Sequence, residues 1–324
     1  MRLDLHRAYL AAPSAATLEP LLQWDYRIRS RDLTTYLAPY EFSNWATDRK
    51  AVAALHGLAD LTGGTGLWDD TPTTEAEIQT ALDAAVANNA LAPFATKGFS
   101  QDLVRVSGLQ SAVTLRGRFG YQVVSGSWWV HGSGTLTITA TGGIASQDKG
   151  PDHLQLYDWA SGDVLLDTDV PEDRADRQHV VTLQADHLYR LEVTCGGGVE
   201  FSWTPGFGFT LLSNEVVGYF TGAGTSSVFF YVPVDTPTVG FYAQTGTVIK
   251  LYDATGAQVG GNIEAHFDYH AVEVPPLRAG AVWEITGVGA KWGLLTVPPG
   301  FALAPEELLV PREVAEDDGL VIIP

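Results

Sequence analysis

Two kinds of hydrophobic spacing divide the chain near residue 105. Before that point, apolar positions recur at helical intervals. From Thr74 to Asn89, Ile78, Ala81, Leu82, Ala85 and Val86 fall at i, i+3, i+4, i+7 and i+8, one face of an amphipathic helix. Thr74 with Glu77 forms a capping box, and Asn88-Asn89 ahead of Pro93 is a stop signal. A second helix is expected over about residues 44–59, ending near Gly63-Gly64, while Leu21 to Tyr40 has no clear period. After residue 105 the period becomes two. Thr135-Leu136-Thr137-Ile138-Thr139, Val180-Val181-Thr182-Leu183 and Tyr189-Arg190-Leu191-Glu192-Val193 alternate as half-buried strands do. Clusters of Gly, Pro, Asp and Asn separate such runs at roughly 8–12-residue intervals, the spacing of a β-sandwich.

The β half reads as a duplication. Leu154-Gln155-Leu156-Tyr157-Asp158, followed by Ser161-Gly162, answers to Ile249-Lys250-Leu251-Tyr252-Asp253, followed by Thr255-Gly256. His179 to Leu183 answers to His270 to Val274, and Leu188 to Val193 answers to Ala281 to Ile285. Upstream, Ser127-Trp128-Trp129-Val130 matches Val228-Phe229-Phe230-Tyr231. The expected fold is therefore mainly β: a helical or irregular N-terminal domain followed by two tandem antiparallel β-sandwiches. The boundaries expected are 1–105 for the anchoring domain, 106–212 and 213–312 for the sandwiches, and 313–324 for a tail. The tail ends in Leu320-Val321-Ile322-Ile323, apolar enough to call for pairing as an edge strand.

The repeat resembles the bacterial pre-peptidase C-terminal type of β-sandwich. It is also similar to the accessory sandwiches of large bacterial carbohydrate-active enzymes, through the opening Phe230-Tyr231-Val232-Pro233 and the run Leu277-Arg278-Ala279-Gly280-Ala281-Val282-Trp283-Glu284-Ile285. The resemblance covers about residues 110–312 and implies jelly-roll-like, non-catalytic modules for binding, spacing or adhesion. The matching positions are framework residues. No peptidase or glycosidase domain accompanies them.

Composition narrows the partners. The chain has 324 residues, with 19 Lys+Arg against 38 Asp+Glu and a formal net charge of −19. Such a balance excludes binding driven by neutralising nucleic-acid phosphates or anionic lipid headgroups. The acid is concentrated in the β half, with 10 Lys+Arg against 25 Asp+Glu after Arg105. No apolar run reaches a membrane span, and the segment after Met1 lacks the continuous apolar core of a secretory signal. Cys195, the single cysteine, has no internal disulfide partner.

Candidate chemistry is sparse. No G-x-S-x-G elbow, phosphate loop or helical H-x-x-x-H is present, and Trp68 beside Asp69 and Asp70 reads as a loop leading into a helix. Asp167, Asp169, Glu172 and Asp173 place four carboxylates in one short stretch, oxygen ligands that suit Ca²⁺, although the EF-hand glycine is absent. No other cofactor is expected. His266 and His270, four apart, share one face of a strand. Of the tryptophans in the β half (Trp128, Trp129, Trp159, Trp203, Trp283 and Trp292), the ligand-binding candidates are Trp128, Trp129, Trp203 and Trp292. Adjacent Trp128 and Trp129 point to opposite faces, so one is expected in the core and the other exposed.

The function expected is non-enzymatic: a structural or adhesion protein, a phage or phage-like virion component assembled in the cytoplasm without a signal peptide. Its N-terminal domain would join other subunits or further copies of the chain, and its sandwiches would display a surface for host polysaccharide. The alternative is a carbohydrate-binding accessory module of a secreted glycoside hydrolase.

Overall fold

The computed structural model describes residues 99–324 except 111–118, 123–125, 145–149, 195–197, 213–218, 221–226, 244–247, 265–267 and 289–291, together with residues 8, 9, 11–14, 16, 17, 83 and 87. The chain forms two compact units: residues 1–98 with 240–242 and 267–271, and the rest of 99–324. The helices expected over 74–89 and 44–59 lie outside the described residues, save that Asp83 and Ala87 are helical. Cys195, His266, Trp68, Asp69 and Asp70 also lie outside them. In the smaller unit Tyr9 is buried, and Ser14 and Thr17 cap each other's backbone N–H through their hydroxyls at 3.1 and 3.2 Å.

The larger unit is antiparallel β. Its first strands are β1 (Leu103–Val106), β2 (Phe119–Gln122), β3 (Gly126–His131), β4 (Gly134–Gly142), β5 (Asp152–Asp158) and β6 (Val164–Val170). They are followed by β7 (Arg177–Leu183), β8 (Leu188–Thr194), β9 (Val199–Trp203), β10 (Gly208–Leu212) and β11 (Tyr219–Phe220). The second repeat supplies β12 (Val228–Val232), β13 (Thr238–Ala243), β14 (Val248–Tyr252), β15 (Gln258–Glu264) and β16 (Asp268–Glu273). It continues with β17 (Ala281–Thr286), β18 (Trp292–Leu294) and β19 (Gly300–Ala302). The chain closes with β20 (Leu309–Pro311), the helix Arg312–Asp317 and β21 (Ile322–Ile323).

One sheet runs through both repeats, in the order β15-β14-β17-β12-β19-β10-β3-β8-β5-β6. Its two halves meet at the antiparallel pair β10–β19, where Leu211 faces Phe301 and Leu212 faces Gly300. Outward from that pair, β10-β3-β8-β5-β6 and β19-β12-β17-β14-β15 place equivalent strands in the same order, so the repeats are related by a local two-fold axis at the join. A second sheet, β11-β2-β9-β4-β7, covers the first half. Trp128 of β3 meets Phe201 and Trp203 of β9 at ring-centroid distances of 5.7 and 5.3 Å.

A third layer lies on the other face. The sheet β20-β1-β21 and the helix Arg312–Asp317 bury Val104, Val106, Val310 and Val314 against Phe229, Tyr231, Val282 and Ala302. Leu103 and Leu309 join Trp129 and Leu212 in a neighbouring cluster. Both faces of the central strands are thus covered, and β10 and β12 are buried at every position. This is why β12 reads Val-Phe-Phe-Tyr-Val without alternation. The close approach has a steric condition at Gly208, where a Cβ would stand 2.3 Å from Leu309 Cδ2 and 3.1 Å from Arg105 Cγ.

The larger compact unit begins at Phe99. Leu103–Val106 is the middle strand of the closing layer, and the tail supplies its partner, with Arg105 opposite Ile323 and Val106 opposite Ile322. Asp102 accepts from Arg312 Nε at 2.7 Å, and Glu313 accepts from Ser100 N–H at 2.6 Å.

Candidate functional site

The Leu-Tyr-Asp strand of each repeat ends in a carboxylate that organises the next turn. Asp158 Oδ1 accepts the N–H groups of Ala160 and Ser161, each at 2.9 Å, and its other oxygen is bonded to His187 Nδ1. Asp253 does the same work, accepting from Thr255 N–H at 2.8 Å and Ala257 N–H at 3.2 Å, with Arg278 Nε at 3.4 Å. Burial works to raise both carboxyls, but their side-chain and backbone hydrogen bonds, with the Arg278 guanidinium beside Asp253, hold them below the ordinary aspartate value. In both repeats the basic residue follows a non-glycine residue in the left-handed region, Asp186 before His187 at φ 63° and Leu277 before Arg278 at φ 65°.

In the first repeat this corner carries an aromatic side chain. Trp159, next after Asp158, is 44% exposed. Its backbone N–H donates to the Leu188 carbonyl at 2.9 Å, tying the β5–β6 turn to the start of β8. Beneath the indole, Trp129 makes an edge contact at 4.9 Å, and Tyr157 lies at 6.5 Å. The Arg190 guanidinium sits 5.4 Å from the Trp159 ring and 5.1 Å from Trp129, a cation–π arrangement that fixes the ring from below. Above it opens a cavity of about 450 Å³ lined by Gln101, Asp102, Asp158, Trp159, Asp186 and His187, with Ala160 and Leu188 completing the wall. A braced, half-exposed ring beside convergent polar groups is the layout of a small-ligand site. At the matching corner of the second repeat Ala254 replaces the tryptophan.

The tryptophans expected to bind a ligand are placed elsewhere. Trp128 and Trp129 are both fully buried, one under β9 and the other under the closing layer and Trp159, so the alternation rule exposes neither. Trp292 is buried against Phe301 at 4.9 Å. Trp203 is half-buried, stacked on Phe209 at 4.1 Å and donating through Nε1 to Glu307 Oε1 at 2.8 Å. Burial pushes the Glu307 carboxyl up to about 7 against the opposing effect of that hydrogen bond, with Glu306 adding to the rise. The signal for Trp159 is its position one residue beyond a strand, inside the turn Asp158-Trp159-Ala160-Ser161-Gly162, where a large ring has no core to enter.

The four expected Ca²⁺ ligands also separate. Asp167 and Asp169 lie on β6 and flank His153, at 3.1 Å from Nε2 and 2.8 Å from Nδ1. Asp173 pairs with Arg177, accepting from Nη1 at 2.7 Å, and the ion pair holds its carboxyl down to about 2. Glu172 is half-buried in the turn between them. Among the described residues no three His, Cys, Asp or Glu side chains converge as a metal site. His270 is half-buried, and burial pushes its imidazole down to about 4.

Comparison with known proteins returns little. No family model matches the chain, and no curated protein matches it. Among solved structures, it is similar to the tandem family 51 carbohydrate-binding modules of the family 98 glycoside hydrolase from Streptococcus pneumoniae, at 10% identity and a TM-score of 0.21, over 64% of this chain and 88% of that one.

Proposed function

We propose that residues 99–324 are a non-catalytic carbohydrate-binding module, with the Trp159 corner as its sugar site. The braced, half-exposed indole over a polar-rimmed cavity carries this reading. A pyranose presents an apolar C–H face and a belt of hydroxyls. An aromatic platform meets the first, and carboxylate, amide and imidazole groups at the rim meet the second. The shape of the corner supports this reading over the particle-anchoring one, whose expected anchor falls largely on residues 1–98. Binding of the full chain to a polysaccharide panel, followed by affinity electrophoresis and calorimetry, is the test. Trp159→Ala is expected to weaken glycan binding at least about tenfold, since stacked aromatic anchors dominate such sites. Its melting temperature should fall by a few degrees, because the ring's inner side covers Trp129 and Arg190, so binding is compared at a temperature where both proteins are folded. Retention of full affinity in this variant would remove the site from consideration.

A further inference from the structure

We infer that the Trp159 cavity selects glycans carrying a free amino group, an inference that rests on reading the cavity as a sugar site. The argument is the sign of the rim. Three of its side chains, Asp102, Asp158 and Asp186, are carboxylates, and ionised carboxylates only accept hydrogen bonds. Asp102 is engaged by Arg312, and Asp158 by His187 and two backbone N–H groups. Asp186 is exposed and has no hydrogen bond or close ion pair among the described residues, though it acts at longer range on Arg312 and His131. Arg190 lies under the ring against two indoles, and Arg312, paired with Asp102, is one guanidinium set against three rim carboxylates. The chain as a whole carries a formal charge of −19. A uronate, sialate or sulfate seated on Trp159 therefore meets like charge at close range. A neutral sugar offers O–H donors, and a hexosamine ammonium offers three N–H donors and the opposite charge.

The left-handed backbone at Asp186 makes a clean test available. Asn tolerates φ near 63° as well as any non-glycine residue, so Asp186→Asn removes the charge with the fold kept. Calorimetry on the full chain at about pH 6, where an amino sugar is protonated, would compare four tetrasaccharides: β-1,4-glucosamine, its N-acetylated form, cellotetraose and tetragalacturonate. The glucosamine tetramer is expected to bind at least about tenfold more tightly than the uronate at low salt, with the gap closing as ionic strength rises. Asp186→Asn should weaken the glucosamine tetramer up to about fivefold and leave cellotetraose unchanged. Equal affinities for the glucosamine and neutral tetramers, unaffected by Asp186→Asn, would overturn the amine inference while leaving the sugar site standing. Preference for the uronate would overturn it outright. Failure of all four to bind a chain with Trp159 intact would count against the sugar site itself.

Discussion

Glu307 shows how a single residue can set the pH behaviour of the join between the repeats. Its carboxyl is pushed up to about 7 by burial, while Trp203 Nε1–H holds it at 2.8 Å and its backbone carbonyl accepts from Thr210 Oγ1 at 3.2 Å. A carboxyl raised in the folded state binds more protons there than in the unfolded chain. Its contribution to stability is therefore full below the unfolded value, falls as pH rises between about 4.5 and 7, and stays low above that. The upper bound on the loss is about 3 kcal/mol. Glu307→Gln keeps an acceptor for Trp203 and should flatten this part of the pH–stability curve in urea titrations. A slope unchanged by that substitution would assign the pH dependence elsewhere. Residue type alone does not disclose Glu307, because Pro-Glu-Glu reads as a solvated turn and its burial comes from β9 and β10, about a hundred residues away in sequence. Trp159 is the opposite case, exposed by its purely local position in a turn. Trp128 and Trp129 were legible as strand residues but not as doubly buried ones, since alternation reports two faces and not what covers each.

At the scale of elements, the duplication was readable because framework residues repeat where geometry repeats. The Asp158–His187 and Asp253–Arg278 contacts are such a pair, and their aspartates stood out in the sequence as the end of the Leu-Tyr-Asp run. The closing layer was less readable. Its strands are only two to four residues long, too short for period-two alternation to register, and they come from opposite ends of the unit. β1 lies between β20 and β21, and Leu320 packs beside Val314 and Ala315. A chain ending at Asp318 loses β21 and the Leu320 contact. Amides of Leu103–Val106 and of Arg312–Asp317 are then expected to exchange with solvent about tenfold faster or more, while those of β5 stay protected. Unchanged protection of β1 would show that β20 alone secures it.

For the whole molecule, the shared sheet couples the two repeats. With β10 hydrogen-bonded to β19 and each buried on both faces, neither half can open without exposing apolar surface of the other. Hydrogen exchange should accordingly give β8 and β17 a common opening free energy. Gly208→Ala, which drives a Cβ into Leu309, should lower both together by about 1–3 kcal/mol. A drop confined to β8 would mean that the halves open independently.

The local two-fold at β10–β19 also decides valency. Because paired strands there run antiparallel, the β5–β6 turn and its counterpart after β14 lie at opposite ends of the ten-stranded sheet. Two identical corners would make each molecule a cross-linker, able to hold two glycan chains pointing away from each other. With Trp159 at one end and Ala254 at the other, only one of the two matching corners carries an aromatic ring. On the sugar-site reading the two ends of the sheet are therefore not equivalent, and one molecule holds one chain at these corners.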